Sequence, residues 1–391
     1  MNSNNWRKMT KSIFLLAAFG LLLSLASCIN DTPVDIQNSK ATGKIDSLVI
    51  RHPVLEKTAG KALNTGDSPL LILGQADNKN ASVLMKFGKF PDSAVVESAE
   101  LMLKTFQSLG DTTGSMQASV YRVTQSWDEK ELTFESFGDQ FDPTPITTVT
   151  LTPSDSDTVV VQLDPDLVTG WIDSTIDNYG IYIRVEEGRF FKQVFSGNSL
   201  QNPPRLQLKY HKINQQDTTL TADAQVEADV FIFKQLFPLE EGPLYVSDGD
   251  DYRTLLKFDL SALPKQATIN RAVLKLTVDS THSFLSKTDG HAIDLFRLTE
   301  ESTDPNAAKL DSAQAINSVA QVAVAATRSL SIDVGSQVQS WSFGTNENFG
   351  MLVVSRRASR DLYRTAFFSS KMDSTKAPYL MVYFTVPPDV K

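Results

Sequence analysis

The sequence predicts an all-β chain of two tandem β-sandwich domains, jelly-roll-like, each closed by a short capping helix. Three observations predict this. The chain repeats itself in order at a period of about 170 residues: Leu84-Met85-Lys86-Phe87 returns as Leu255-Leu256-Lys257-Phe258, and Ala99-Glu100-Leu101-Met102-Leu103 as Ala272-Val273-Leu274-Lys275-Leu276. Further matches are Val120-Tyr121-Arg122-Val123-Thr124 with Leu295-Phe296-Arg297-Leu298-Thr299, Asn178-Tyr179-Gly180-Ile181 with Asn348-Phe349-Gly350-Met351, and Pro204-Arg205-Leu206 with Pro378-Tyr379-Leu380. A unit that long is a domain and not a solenoid repeat. Second, the matched segments alternate apolar and polar residues, as in Leu274, Leu276 and Val278 against Lys275 and Thr277, so one face is buried and the other wet. Third, turn signals such as Leu163-Asp164-Pro165 and Ser247-Asp248-Gly249-Asp250 punctuate the chain at short intervals.

The elements follow in order. Arg7, Lys8 and Lys11 precede an apolar run from Ile13 to Leu25, with no acidic residue before Cys28. This is a positive segment, an apolar segment and a small-residue cleavage site. The run is too short to span a bilayer, which takes roughly 20 residues. Leu25-Ala26-Ser27-Cys28 resembles the lipobox of bacterial lipoproteins. That resemblance implies a signal peptide over 1–27, a lipid on Cys28, and a membrane anchor in the cell envelope, at the outer membrane. Residues 28–44 are polar and aperiodic, as befits a flexible tether. The first sandwich is expected over 45–211, a linker over 212–217 in the polar stretch after Lys212, and the second sandwich over 218–387.

One helical turn is expected in each copy. Asp164 can cap and Pro165 suits the first helical position, which brings Leu167 or Val168 onto one face with Trp171. Asp333, Val334, Val338 and Trp341 repeat the pattern. This spacing favours Trp171 and Trp341 as core plugs over sugar platforms.

Composition narrows the function. The chain of 391 residues carries a formal charge of −9, and loss of the leader's three cations takes it to −12. That disfavours nucleic acid, whose binding needs clustered Lys and Arg. The single cysteine is Cys28, so a lipidated chain has no disulfide, no Cys-based zinc site and no Cys nucleophile.

Leu256-Lys257-Phe258-Asp259-Leu260, Leu263-Pro264 and Ala272-Val273-Leu274-Lys275-Leu276 together resemble the DNRLRE domain, also described as carbohydrate-binding module family 96-like. The Tyr-Arg-Val-Thr strand, the Asp-Val to Gln-Ser-Trp helix, and the closing Phe195-Ser196 with Pro204 and Phe368-Ser369 with Pro378 resemble it too. The resemblance spans nearly all of 45–386, twice, and implies jelly-roll sandwiches that in some members bind polysaccharide such as alginate. The copies depart from one another: Trp127 of the first corresponds to Ser302 of the second, and Lys86-Phe87-Gly88 to Lys257-Phe258-Asp259.

Catalytic chemistry is not legible. His52, His211, His282 and His291 show no metal spacing, and there is no nucleophile elbow or phosphate loop. Glu186-Glu187, Glu240-Glu241 and Glu300-Glu301 are adjacent pairs, whose side chains diverge on a strand. No cofactor is expected, apart from a structural calcium to which Asp248, Asp250 and Asp251 offer oxygens. An Asp-Gly turn explains the same residues. Arg356, Arg357, Arg360 and Arg364 form the densest basic cluster, opposite Glu186-Glu187 of the first copy. A solvated hairpin is the favoured reading of this cluster; guanidinium groups grip carboxylates bidentately, so any contact with an acidic polysaccharide is expected here. The leading expectation is a non-catalytic envelope lipoprotein binding polysaccharide; the other is a structural or assembly lipoprotein whose sandwiches dock protein partners.

Overall fold

The computed structural model describes residues 45–287, 289–315 and 321–386. Cys28, the leader and the tether lie outside them. Residues 45–385 form one compact unit. Its first strands are β1 (Ile45–Arg51), β2 (Leu55–Ala59), β3 (Leu70–Ala76), β4 (Lys79–Gly88), β5 (Ala94–Gly110) and β6 (Met116–Arg122). The helix α1 (Phe134–Phe137) precedes β7 (Thr147–Leu151) and β8 (Thr158–Leu163), and α2 (Pro165–Asp173) precedes β9 (Ile181–Val185), β10 (Phe190–Phe195) and β11 (Arg205–Lys212). The second half opens with β12 (Gln215–Gln235), β13 (Leu244–Ser247), β14 (Arg253–Lys257), β15 (Thr268–Thr277) and β16 (His291–Leu298). It continues through β17 (Leu310–Ala315), β18 (Gln321–Ala323), β19 (Ser329–Asp333), α3 (Gly335–Ser342), β20 (Met351–Ser355), β21 (Arg364–Phe367) and β22 (Tyr379–Thr385).

Among the described residues all the strand pairings are antiparallel, and they build two sandwiches. In the first, β8, β5, β11 and the first half of β12 face a sheet of β7, β6, β9, β4 and the second half of β12. The 17-residue β5 turns the corner, pairing with β11 through Ala94–Met102 and with β10 through Thr105–Gly110. Leu101, Leu103, Val161 and Leu206 from one sheet meet Ile72, Val83, Met85, Val120 and Ile183 from the other. This is the face predicted by alternation: β11 is buried at Leu206, Leu208 and Tyr210 and wetter at Gln207 and Lys209. The second sandwich repeats the plan, with β1, β22, β15 and β19 in one sheet and β2, β14, β20 and β16 in the other.

Both predicted helices form. Asp164 caps α2 by accepting from the Asp166 N–H, with Pro165 in the first turn. In the second copy the Asp333 side chain accepts from the Gly335 N–H at 2.9 Å. Trp171 and Trp341 are 5% and 8% exposed, so both are core plugs.

The expected domain boundaries need correction. β1 pairs with β22 from Ile45–Thr385 to Arg51–Tyr379, and β2 pairs with β14 from Leu55–Lys257 to Ala59–Arg253. The opening strands of the first copy therefore complete the second sandwich. Reciprocally, β12 pairs with β11 and β4 and completes the first. Residues 212–217 belong to the β11–β12 hairpin of the first sandwich, with its turn at 213–214, and are not a linker. The first half of β12 reads as a linker because it is a mostly exposed edge, paired on one side only, where polar residues are tolerated. Closing a short hairpin onto β11 costs little chain entropy, which favours β12 over the distant β1 as its partner.

A buried polar contact joins the sandwiches. Lys79 of β4 is 0% exposed; its Nζ lies 3.2 Å from Asp250 Oδ1 and donates to the Asp248 carbonyl. The Gln193 amide donates to Asp361 at 2.7 Å, and Gln107 donates to the Tyr363 hydroxyl at 3.1 Å. Leu362 and Tyr363 of the second copy pack into the first core.

Candidate functional site

The basic cluster comes apart in three dimensions. Arg356 forks onto Asp294, with Nε at 2.8 Å and Nη2 at 2.7 Å. Arg357 and Arg360 are exposed on the turn after β20. Arg364 is buried on β21, where it pairs with Asp77 of the first copy at 2.7 Å and donates to the His282 carbonyl. Its assignment to a ligand-gripping face is therefore corrected: it is an interface residue, leaving a basic face of two exposed arginines and one committed to Asp294. Regular spacing in sequence hid this, because β21 turns inward directly after the turn that displays Arg357 and Arg360.

The acidic turn between β13 and β14 is likewise answered by protein groups. Asp250 takes Lys79 and the Ser247 hydroxyl at 2.6 Å, Asp251 takes Arg253 at 2.5 Å, and Asp248 accepts from Ser355. These cations and hydroxyls engage one oxygen of each carboxylate, while Asp248 Oδ2 and Asp250 Oδ2 are buried without a hydrogen-bond partner. Among the described residues no group of His, Asp or Glu is placed to hold a metal ion. Burial pushes the Asp248 carboxyl well above its usual range, with the Asp361 carboxylate adding to the effect. Burial also holds the His291 imidazole neutral, down to about 3.

Two clefts bring aromatic and polar side chains together, one on each sandwich. The cleft of the second sandwich, about 330 Å³, lies between Glu56, Lys57 and Thr58 of β2, the 239–245 segment, Tyr252, Ser369 and Lys371. One wall thus comes from the exchanged strand. Thr58 fixes that wall, its hydroxyl donating to the Tyr245 carbonyl at 3.1 Å and accepting from the Tyr245 N–H at 3.2 Å. Tyr245 and Tyr252 meet edge to face at 5.8 Å. Glu56 accepts from the N–H and hydroxyl of Ser370. His282 bridges two carboxylates, Asp279 at 2.6 Å and Glu240 at 2.9 Å. The hydrogen bond to Asp279 raises its imidazole pKa, against the lowering by burial, and Glu240 adds to the rise.

The cleft of the first sandwich, about 300 Å³, is floored by Phe134, Phe141 and Tyr182 and rimmed by Gln75, Asn80, Asp139, Arg184, Glu186 and Lys234. Local contacts position the floor. Thr133 and Ser136 form a reciprocal capping box on α1, and Trp127 donates its indole N–H to the Tyr179 carbonyl at 2.9 Å. Phe141 and Tyr182 pack at 5.0 Å. Arg184 pairs with Glu186 at 2.6 Å, and the Lys234 ammonium stands 5.3 Å from the Phe134 ring. Lys234 again belongs to an exchanged strand. Burial raises the Tyr182 hydroxyl pKa. In the second copy, Leu255, Leu298, Leu352 and Val354 with Leu55, Phe296 and Leu310 make an apolar cluster where the first copy has this floor.

The sequence reading missed both clefts. Their walls come from segments far apart in the chain, and the exchange of β2 and β12 leaves no local signal.

Residues 240–384 match the family model of carbohydrate-binding module family 96, so the second half carries a domain like those of that family. No curated protein matches the chain. Among solved structures, the tandem CBM22-1–CBM22-2 domain of Paenibacillus barcinonensis Xyn10C aligns over 88% of this chain and 92% of its own, at 10% identity and TM-score 0.15. The infectious bursal disease virus VP2 subviral particle aligns over 88% and 76%, at 9% identity and TM-score 0.14.

Proposed function

We propose that the protein is a non-catalytic polysaccharide-binding lipoprotein of the bacterial cell envelope, anchored through Cys28 in the outer membrane. The observation that carries the reading is the family match over 240–384, in whose domain the Tyr245–Tyr252 cleft opens. Each cleft offers what a saccharide needs: ring faces for the apolar side of a sugar, and carboxylates, amides and cations for its hydroxyls. The cleft of the second sandwich takes Tyr252 as the ring contact and Glu241 and Lys371 as polar rim. The cleft of the first takes Phe141 and Asn80 in those parts. The lipobox resemblance supports the anchor, and the tether over 28–44 would hold the sandwiches clear of the membrane.

The test is a glycan array and calorimetry with the leaderless chain carrying Cys28→Ser, alone and with Tyr252→Ala. Saturable binding to at least one polysaccharide, weakened by Tyr252→Ala with the melt unchanged, supports the reading. Absence of binding to every glycan overturns it and favours a protein-docking role.

A further inference from the structure

We infer that Phe237 is an aromatic platform that joins the two clefts into one extended site for a polysaccharide chain. The inference rests on the carbohydrate-binding reading above and names its substrate as a polymer and not a short sugar. The linker between β12 and β13 passes directly from one cleft to the other. Leu236 lines the cleft of the first sandwich, while Leu239 and Glu240 line that of the second. Two residues, Phe237 and Pro238, separate Leu236 from Leu239, a span of at most about 11 Å. Between them Phe237 stands 71% exposed.

An exposed ring is ordinary on a protein surface. Here its backbone is immobilised. The Phe237 N–H donates to Asn78 Oδ1 at 2.7 Å, and the Asn78 amide donates to the Phe237 carbonyl. The Gln235 amide donates to the same carbonyl at 2.7 Å, and the Leu236 N–H donates to the Asn78 carbonyl at 2.8 Å. Asn78 holds the position from a left-handed backbone, φ +64°, which asparagine tolerates. Pro238 follows and restricts Phe237 to extended conformations. Four hydrogen bonds and a proline thus fix the backbone of a ring that is open to water. A ring carried on a fixed backbone has only its side-chain rotamers left to order on binding, which suits a platform.

A polymer that enters one cleft meets the ring and then the other cleft. Because both clefts belong to one compact unit, the second contact is intramolecular, and long chains should bind roughly a hundredfold tighter than fragments filling one cleft.

The test is calorimetry of the leaderless Cys28→Ser chain against length series of oligosaccharides from alginate and from xylan, repeated with Phe237→Ala and Phe237→Trp. The ring is exposed, so both variants should melt as the parent does. The expected result is affinity that climbs with length and then levels off. Phe237→Ala should lose roughly tenfold on the long members and nothing on the shortest, with Phe237→Trp restoring the loss. Binding without a length effect, or an unchanged affinity of Phe237→Ala for long chains, overturns the platform and leaves the carbohydrate reading intact. Failure of every fragment to bind the parent chain overturns both.

Discussion

Arg364 of the second copy and Asp77 of the first form a largely buried ion pair at 2.7 Å, with side chains 7% and 17% exposed. The pair ties β21 to the turn between β3 and β4. Burial raises the Asp77 carboxyl pKa even against the pull of Arg364 and Lys79, so the charge depends on its partners.

Arg364→Ala should therefore destabilise the chain by about 3–5 kcal/mol, because it strands a buried carboxylate. Arg357→Ala and Arg360→Ala, on the exposed turn, should stay within about 0.5 kcal/mol of the parent. Denaturant melts of the three variants would decide; equal costs would return Arg364 to the surface set.

The strand exchange predicts which pieces fold. A fragment of residues 60–235 contains every strand of the first sandwich, including β12, and should give a β-type circular dichroism spectrum with a cooperative melt. A fragment of 45–211 lacks β12, exposes the edges of β4 and β11, and carries β1 and β2 without partners. It should fail to fold or aggregate through those edges. A cooperative melt from 45–211 that matches 60–235 would refute the exchange.

Asp229 predicts a pH dependence. Burial pushes its carboxyl up to about 7, partly offset by the hydrogen bond from the Gly197 N–H and reinforced by Glu129. An unfolded aspartate titrates near 3.9. Between about 4 and 7 the folded chain holds a proton that the unfolded chain has lost, so stability from this group falls as pH rises through that window. The loss is on the order of 4 kcal/mol when complete. Asp229→Asn keeps an acceptor for Gly197 and should flatten the decline, gaining on the parent at pH 8 relative to pH 5. Parallel Tm curves for the two proteins would count against the buried proton.

Trp171→Ala and Trp341→Ala should each cost about 3–5 kcal/mol. Trp171 packs 6.3 Å from Phe90 in the first core, and both rings sit on the helices that close a sandwich. Loss of glycan binding with unchanged melts would move them from core to site.

How much was legible follows from the range of each interaction. The alternation in Leu206–Tyr210, the Asp164-Pro165 cap and the repeat itself are local or self-comparing signals, and the structure carries them as strands, helices and two like sandwiches. Arg364 was misplaced because its partner Asp77 is 287 residues away. Lys79, which pairs with Asp250, is out of reach of local reading in the same way, lying 171 residues upstream.

The sequence by itself determined the fold class, the two copies and the core tryptophans, because periodicity and capping act within a few residues. Tertiary structure alone decided which copy each opening strand completes, since pairing energy depends on the edge that is available and not on the strand's own pattern. It also decided that Phe237, one unremarked aromatic before a proline, stands fixed between two clefts. That position exists only once β12 has joined the first sandwich and β2 the second.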